Sequence, residues 1–215
     1  KKKMNRLENL KFLFESVKLY KEKIFRVVFF EIFYSIKYRK SGNFIKPPDI
    51  YPCAFYFIYK IAKFVKQKKI KNLVDLGCGS GRLVNFLNDA TDAKISGYEI
   101  DKDAFEIANN NKGKDVNIIH ENILNIDFEN KDFDCFVFSG ALYREEHQKD
   151  FFTVVKKIVE SKKNSNKQFY IIGVNLDGDP RHEAVSSNFI FEEIKLNLIK
   201  EVSASNLKKI KFFSN

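Results

Sequence analysis

The chain has 215 residues, 44% of them hydrophobic and 31% charged, and its formal net charge is +10. That length fits one α/β domain with an extension and a core of its own. Cys53, Cys78 and Cys135 lack paired spacing. This excludes a disulfide framework and a cysteine metal site, and it makes a reducing cytoplasm the expected compartment.

The charge is unevenly spread. Residues 1–46 hold 13 Lys/Arg against four Glu, which leaves 47–215 nearly neutral. From Leu10 to Tyr38 the spacing of Phe14, Val17, Tyr20 and Ile24 predicts one or two helices, with lysines between the apolar positions. The run Ile24–Ile36 is too short to span a membrane and contains Arg26 and Glu31. The basic start is not followed by an apolar segment with a cleavage site, so no signal peptide is expected. Three roles compete for this extension. It is a helical cap on the following domain, a basic amphipathic surface for an anionic membrane, or a nucleic-acid contact with lysines for phosphates and aromatics for bases. The membrane role would place a cytoplasmic protein at the membrane periphery. Ser41-Gly42-Asn43 and Pro47-Pro48 read as a linker, so the main domain is expected to cover 47–215.

A helix is predicted from Tyr51 to Val65, where Phe55, Ile58, Ala62 and Val65 form one apolar stripe. The run Asn72–Leu76 then reads as a strand carrying Asp75. It leads into the glycine-rich turn Gly77-Cys78-Gly79-Ser80-Gly81 and an amphipathic pattern from Leu83 to Leu87. Strand, glycine turn and helix in that order open a nucleotide-type site. The G-x-G-x-G spacing differs from the dinucleotide fingerprint, and the Gly-Lys-Ser/Thr of a Walker loop is missing. A second apolar run, Lys94 to Asp101, brings Glu99 in about 20 residues after the glycines. There a carboxylate can accept from both hydroxyls of a ribose.

Asp-Leu-Gly-Cys-Gly-Ser-Gly-Arg at 75–82 and Gly-Tyr-Glu-Ile-Asp at 97–101 resemble the first two motifs of the class I S-adenosylmethionine-dependent methyltransferases. The resemblance runs from about residue 50 onward. It implies a Rossmann-like, seven-stranded, mostly parallel sheet with an antiparallel C-terminal strand pair, preceded here by the helical extension. It implies S-adenosyl-L-methionine as cofactor and no metal. In the roles so implied, Asp75 braces the turn through its N–H groups, and Gly77, Cys78, Gly79 and Gly81 wrap the methionine and ribose. Glu99 holds the ribose hydroxyls, Ile100 packs on adenine, Asn122 with Ile123 borders the base, and Ser139 lies beside the sulfonium. Where the family usually has an acid to accept from the adenine amino group, this chain has Asn122, whose amide oxygen offers the same bond without charge. His120 is expected to cap or to lie on the surface.

Further along, Ala104, Ile107 and Ala108 mark a helix and Val116–Ile119 a third strand. The mostly apolar 131–140 contains a fourth strand, with chemistry expected at its C-terminal end. Phe138-Ser139-Gly140-Ala141-Leu142 lacks the prolines of the Asn/Asp/Ser-Pro-Pro-Tyr/Phe motif found in enzymes that methylate nucleobase amino groups. That departure argues against DNA adenine or cytosine-N4 methylation.

Tyr143 and His147 precede a helix predicted over Phe151–Val159 and are candidates for a general base. The competing reading is a solvated helix start with acids near its N-terminus. Lys167–Val174 is a fifth strand, and the polar loop after it adds Asp177 and His182 as candidate substrate contacts. An antiparallel hairpin over Phe189–Val202 and Asn206–Phe213, separated at Ser203-Ala204-Ser205, closes the sheet.

Two enzymatic readings and one of another class follow. The first is methyl transfer to a small-molecule or carbohydrate acceptor, with O-methylation preferred, and the second is protein-lysine N-methylation. The third is a non-catalytic methyltransferase-like module recruited to membrane or RNA by residues 1–46.

Overall fold

In the computed structural model the described residues are 55–139, 147–163, 165, 167–174, 187, 190, 192–205 and 208–215. The extension 1–46 and its boundary, Tyr51, Cys53, Tyr143, Asp177 and His182 all lie outside them.

Alternation of apolar runs with amphipathic segments produces strands separated by helices. Helix α1 (Phe55–Gln67) precedes strand β1 (Asn72–Leu76), and α2 (Arg82–Ala90) precedes β2 (Lys94–Glu99). Then come α3 (Lys102–Asn111), β3 (Val116–His120), a 3-10 turn at Ile123–Asn125, and β4 (Cys135–Phe138). The chain ends with α4 (Gln148–Lys162), β5 (Tyr170–Val174), β6 (Asn197–Ser205) and β7 (Lys208–Ser214). The strands form one seven-stranded sheet of order β3-β2-β1-β4-β5-β7-β6. The first five are parallel, while β7 runs antiparallel to both β5 and β6.

Leu73, Val74, Asp75 and Leu76 are all buried, as expected of a central strand covered on both faces. Val74, Leu76, Phe136, Phe138 and Ile171 pack in one cluster with Phe151, Val154, Val155 and Ile158 of α4. The Phe138 and Phe151 rings meet edge to face at 4.8 Å, a geometry that adds about 0.5–1.5 kcal/mol to their burial. Another cluster joins α1 to the sheet, with Phe64 against Tyr170 at 5.2 Å and against Phe212 at 4.6 Å. Chain order reverses at β1: β2 lies on one side and β4 on the other. In an open parallel sheet the C-terminal ends at such a reversal flank the ligand crevice. Here those ends are Gly77 and Ser139.

The expected α/β class and antiparallel closure are present, with shifted bounds. Ser203–Ser205, read as a separator, belongs to β6 and pairs with β7 through a register irregularity. Strand β6 also begins only at Asn197, although Ile194 and Leu196 continue the apolar alternation. Lys195 has φ 60°, so the chain turns there. Leu196 is buried in the core cluster, and its N–H donates to the Ile190 carbonyl at 3.1 Å.

Candidate active site

The glycine turn hangs on the next strand. The N–H groups of Gly77 and Cys78 both donate to the Tyr98 carbonyl, at 2.9 and 2.8 Å. Gly77, Gly79 and Gly81 have φ of 80°, 55° and 82°, a region that penalises any residue with a Cβ. Gly81 opens α2 without a side-chain cap. A Cβ on Gly81 would come within 3.1 Å of the Ala108 Cβ on α3.

Asn85, which the sequence reading did not single out, fixes that corner. Its amide nitrogen donates to the Gly81 carbonyl at 2.9 Å, and its oxygen accepts from the Gly113 N–H at 2.7 Å. One buried side chain thereby ties the turn to the loop before β3. The only trace in the sequence is a polar residue among the apolar positions of an amphipathic helix.

Glu99, at the end of β2, is buried and faces the turn. One carboxylate oxygen accepts from the Gly79 N–H at 2.7 Å. The other accepts from the N–H groups of Ile100 and Asp101, at 2.9 and 2.8 Å. A carboxylate has about four acceptor positions, so three backbone donors leave room for one more. Gly97 lets β2 approach this closely, since a Cβ there would lie 2.7 Å from the Cys78 sulfur.

Asp75 departs from its expected role. The donors of the turn named above go to Tyr98 and Glu99, whereas Asp75 accepts from the Ser139 hydroxyl at 2.9 and 3.1 Å. Burial pushes its carboxyl up to about 8; the Ser139 hydrogen bond opposes that shift and the nearby Glu99 charge reinforces it. The pair joins the C-terminal ends of β1 and β4 across the crevice. Burial also raises the Cys78 thiol, with smaller contributions from Asp75 and Glu99, so its sulfur is held protonated.

At the other end of the site Ile100 is 62% exposed, more than any other large apolar side chain among the described residues. Beside it the His120 ring shares a 2.9 Å hydrogen bond with the Ile100 carbonyl and stacks on Phe105 at 5.0 Å. Asn122 caps the 3-10 turn, its amide oxygen accepting from the Leu124 N–H at 2.9 Å, and Ile123 is buried beneath it. That amide oxygen retains a second lone pair.

A family model described as a methyltransferase domain matches residues 73–163, from β1 through α4. Ribosomal RNA small subunit methyltransferase A of Mesomycoplasma hyopneumoniae (strain 232) is 39% identical over 97 residues, which are 45% of this chain and 34% of that protein. The match thus spans about a third of that relative's length. Residues 73–163 belong to a class I S-adenosylmethionine-dependent methyltransferase domain.

The methyltransferase fold recurs in distant structures. N-methyltransferase NodS from Bradyrhizobium japonicum WM9, in complex with S-adenosyl-L-homocysteine, has a TM-score of 0.61 at 15% identity. That alignment covers 78% of this chain and 89% of NodS. Magnesium protoporphyrin IX methyltransferase (ChlM) from Synechocystis PCC 6803, with bound S-adenosylmethionine, scores 0.58 at 12% identity over 74% of this chain and 78% of its own.

The residues of this methyltransferase domain fit a sulfonium nucleoside. A carboxylate with acceptor capacity left stands 2.7 Å from the glycine turn. Directly after it an apolar side chain is exposed where a base would cover it. Of the candidate bases only His147 is described; it is the half-buried residue preceding α4, and its side chain makes no capping hydrogen bond to the helix. Among the described residues no His, Cys, Asp and Glu group has metal-binding geometry.

Proposed function

We propose that the protein transfers the methyl group of S-adenosylmethionine to a hydroxyl of a small-molecule or carbohydrate acceptor. The observation that carries the cofactor half of this reading is the 2.7 Å contact between the Gly79 N–H and Glu99. It brings the two sequence motifs of the domain together at the switch point of the sheet. The cofactor supplies a sulfonium methyl that is already electrophilic, so the protein mainly orients the acceptor and takes up a proton from a hydroxyl.

In this reading Glu99 accepts from the ribose, Ile100 packs on the base, and the Asn122 amide oxygen with Ile123 borders it. Gly77, Cys78, Gly79 and Gly81 line the methionine side. Ser139, held by Asp75, keeps the end of β4 at the transfer position, and Tyr143, His147 or His182 takes the proton. Phe138-Ser139-Gly140 lacks the prolines that accompany nucleobase amino methylation, which argues against a DNA adenine or cytosine-N4 acceptor. A second reading, an RNA acceptor, is favoured by the 97-residue likeness to a protein named as a ribosomal RNA methyltransferase.

Calorimetry of the full chain with S-adenosylmethionine tests the cofactor half. Saturable binding is expected, and no heat at millimolar ligand would favour a non-catalytic module. Transfer of labelled methyl to panels of polyols, amines and RNA then separates the acceptors.

A further inference from the structure

The opposite edge of the sheet, where the parallel strands begin, is built differently. Lys71 directly precedes β1 and Lys94 begins β2; the Lys94 N–H donates to the Lys71 carbonyl at 2.7 Å. The Lys68 ammonium lies 5.8 Å from the centre of the Tyr170 ring at the start of β5. Lys69 sits in the same α1–β1 connection, and Lys167 bonds Asp132 at 3.1 Å ahead of β4. Lys162, at the end of α4, donates to the Lys131 carbonyl at 2.8 Å. Lys71, Lys162 and Lys167 lie around Asp132 and Asp134, and Asp92 and Asp115 are further acids in the connections before β2 and β3. Asp134 accepts from the N–H groups of Lys71 and Asn72, and Asp132 is held below the usual carboxylate range by Lys167.

We propose that this lysine edge docks the phosphate backbone of a nucleic acid. The row crosses four neighbouring strands, β2, β1, β4 and β5, about 14 Å at the usual spacing of strands. The lysines are spread along that length rather than converging on one point, which suits an extended polyanion better than a single phosphate. Charge alone supplies most of non-specific nucleic-acid affinity. A membrane surface needs buried apolar area as well. The exposed Leu198 and Ile199 lie on β6, beyond β7 at the sheet's outer edge, and are not interleaved with these lysines. The contact is independent of which acceptor is methylated. A five-residue strand separates the row from the glycine turn by about 16 Å, so a strand held here leaves the cofactor crevice open.

The test is fluorescence anisotropy of the full chain with labelled 20-mers of single-stranded RNA and DNA, at several salt concentrations. Its variant is Lys69→Glu/Lys71→Glu/Lys94→Glu, with Lys102→Glu on the opposite edge as control. The triple variant should lose at least tenfold in affinity for both probes, with a salt slope shallower by two to three charges, because phosphates carry no base information. The control should change by less than twofold. A retained thermal midpoint and retained S-adenosylmethionine binding show that the variant is folded. Unchanged affinity and slope in a folded triple variant would overturn the proposal. Loss of co-sedimentation with phosphatidylcholine/phosphatidylglycerol vesicles and no change with either 20-mer would overturn it in favour of a membrane.

Discussion

The two edges of this sheet handle charge in opposite ways. At the C-terminal edge the described charges are mainly acidic, Glu99, Asp101, Asp103 and Glu121 against Arg82 and Lys102. Glu99 and Asp101 are tied to backbone N–H groups, and Asp75 is buried beneath them. At the N-terminal edge Lys68, Lys69, Lys71, Lys94, Lys162 and Lys167 stand among Asp92, Asp115, Asp132 and Asp134, and most of these charges are exposed. A segment that is nearly neutral by count therefore presents two unlike surfaces. One holds its acids in hydrogen bonds to the backbone, and the other spreads its lysines along a line of strand starts. Net charge per domain conceals that division; position along parallel strands reveals it.

The contrast can be broken most strongly at Glu99. Glu99→Ala should weaken S-adenosylmethionine binding by about 30- to 150-fold, or 2–3 kcal/mol, since it removes a charged acceptor and strands three backbone donors. Calorimetry reads this directly, and nucleic-acid affinity at the lysine edge should not fall.

Asp75 comes next, through pH. Its folded carboxyl is raised to about 8 from an ordinary 3.8, so the folded chain holds a proton that the unfolded chain releases between those values. Stability is therefore greatest below about pH 4 for this group and declines as pH rises towards 8. Asp75→Asn, which cannot ionise, should remove most of that decline in urea titrations at successive pH values.

Gly97→Ala should destabilise by about 1–2 kcal/mol, because its methyl would press on the Cys78 side chain at 2.7–2.9 Å. Thermal unfolding measures the loss, and a Cys78→Gly background should relieve part of it. The smallest effect is expected from Ile100→Ala, about 1 kcal/mol in cofactor affinity with no change in thermal midpoint, since the side chain is largely exposed before any ligand covers it.

That the glycine turn and Glu99 come together was readable because the signals are local. Three glycines needing positive φ and a carboxylate at the end of the next strand lie within one strand–helix–strand unit. Contacts between distant segments left no such trace. Asn85 meets Gly113 across 28 residues, and Asp75 meets Ser139 across 64. The reading that Asp75 braces the turn assigned a nearby partner to a group whose hydroxyl donor arrives from β4. The lysine edge was invisible for the same reason, as Lys71, Lys94 and Lys167 become neighbours only when the strands align. Where the period-2 pattern misled, at Ile194 and Leu196, burial by a turn at Lys195 imitated the alternation of a strand.

One carbonyl, that of Tyr98, receives two amide protons from the start of the glycine turn. Deuterium uptake at Gly77 and Cys78 therefore requires the turn and the end of β2 to part. Slow exchange at these two amides would report the integrity of a paired strand even before any ligand is added, and ligand-dependent protection would have to be sought at Gly79, whose partner is a side chain.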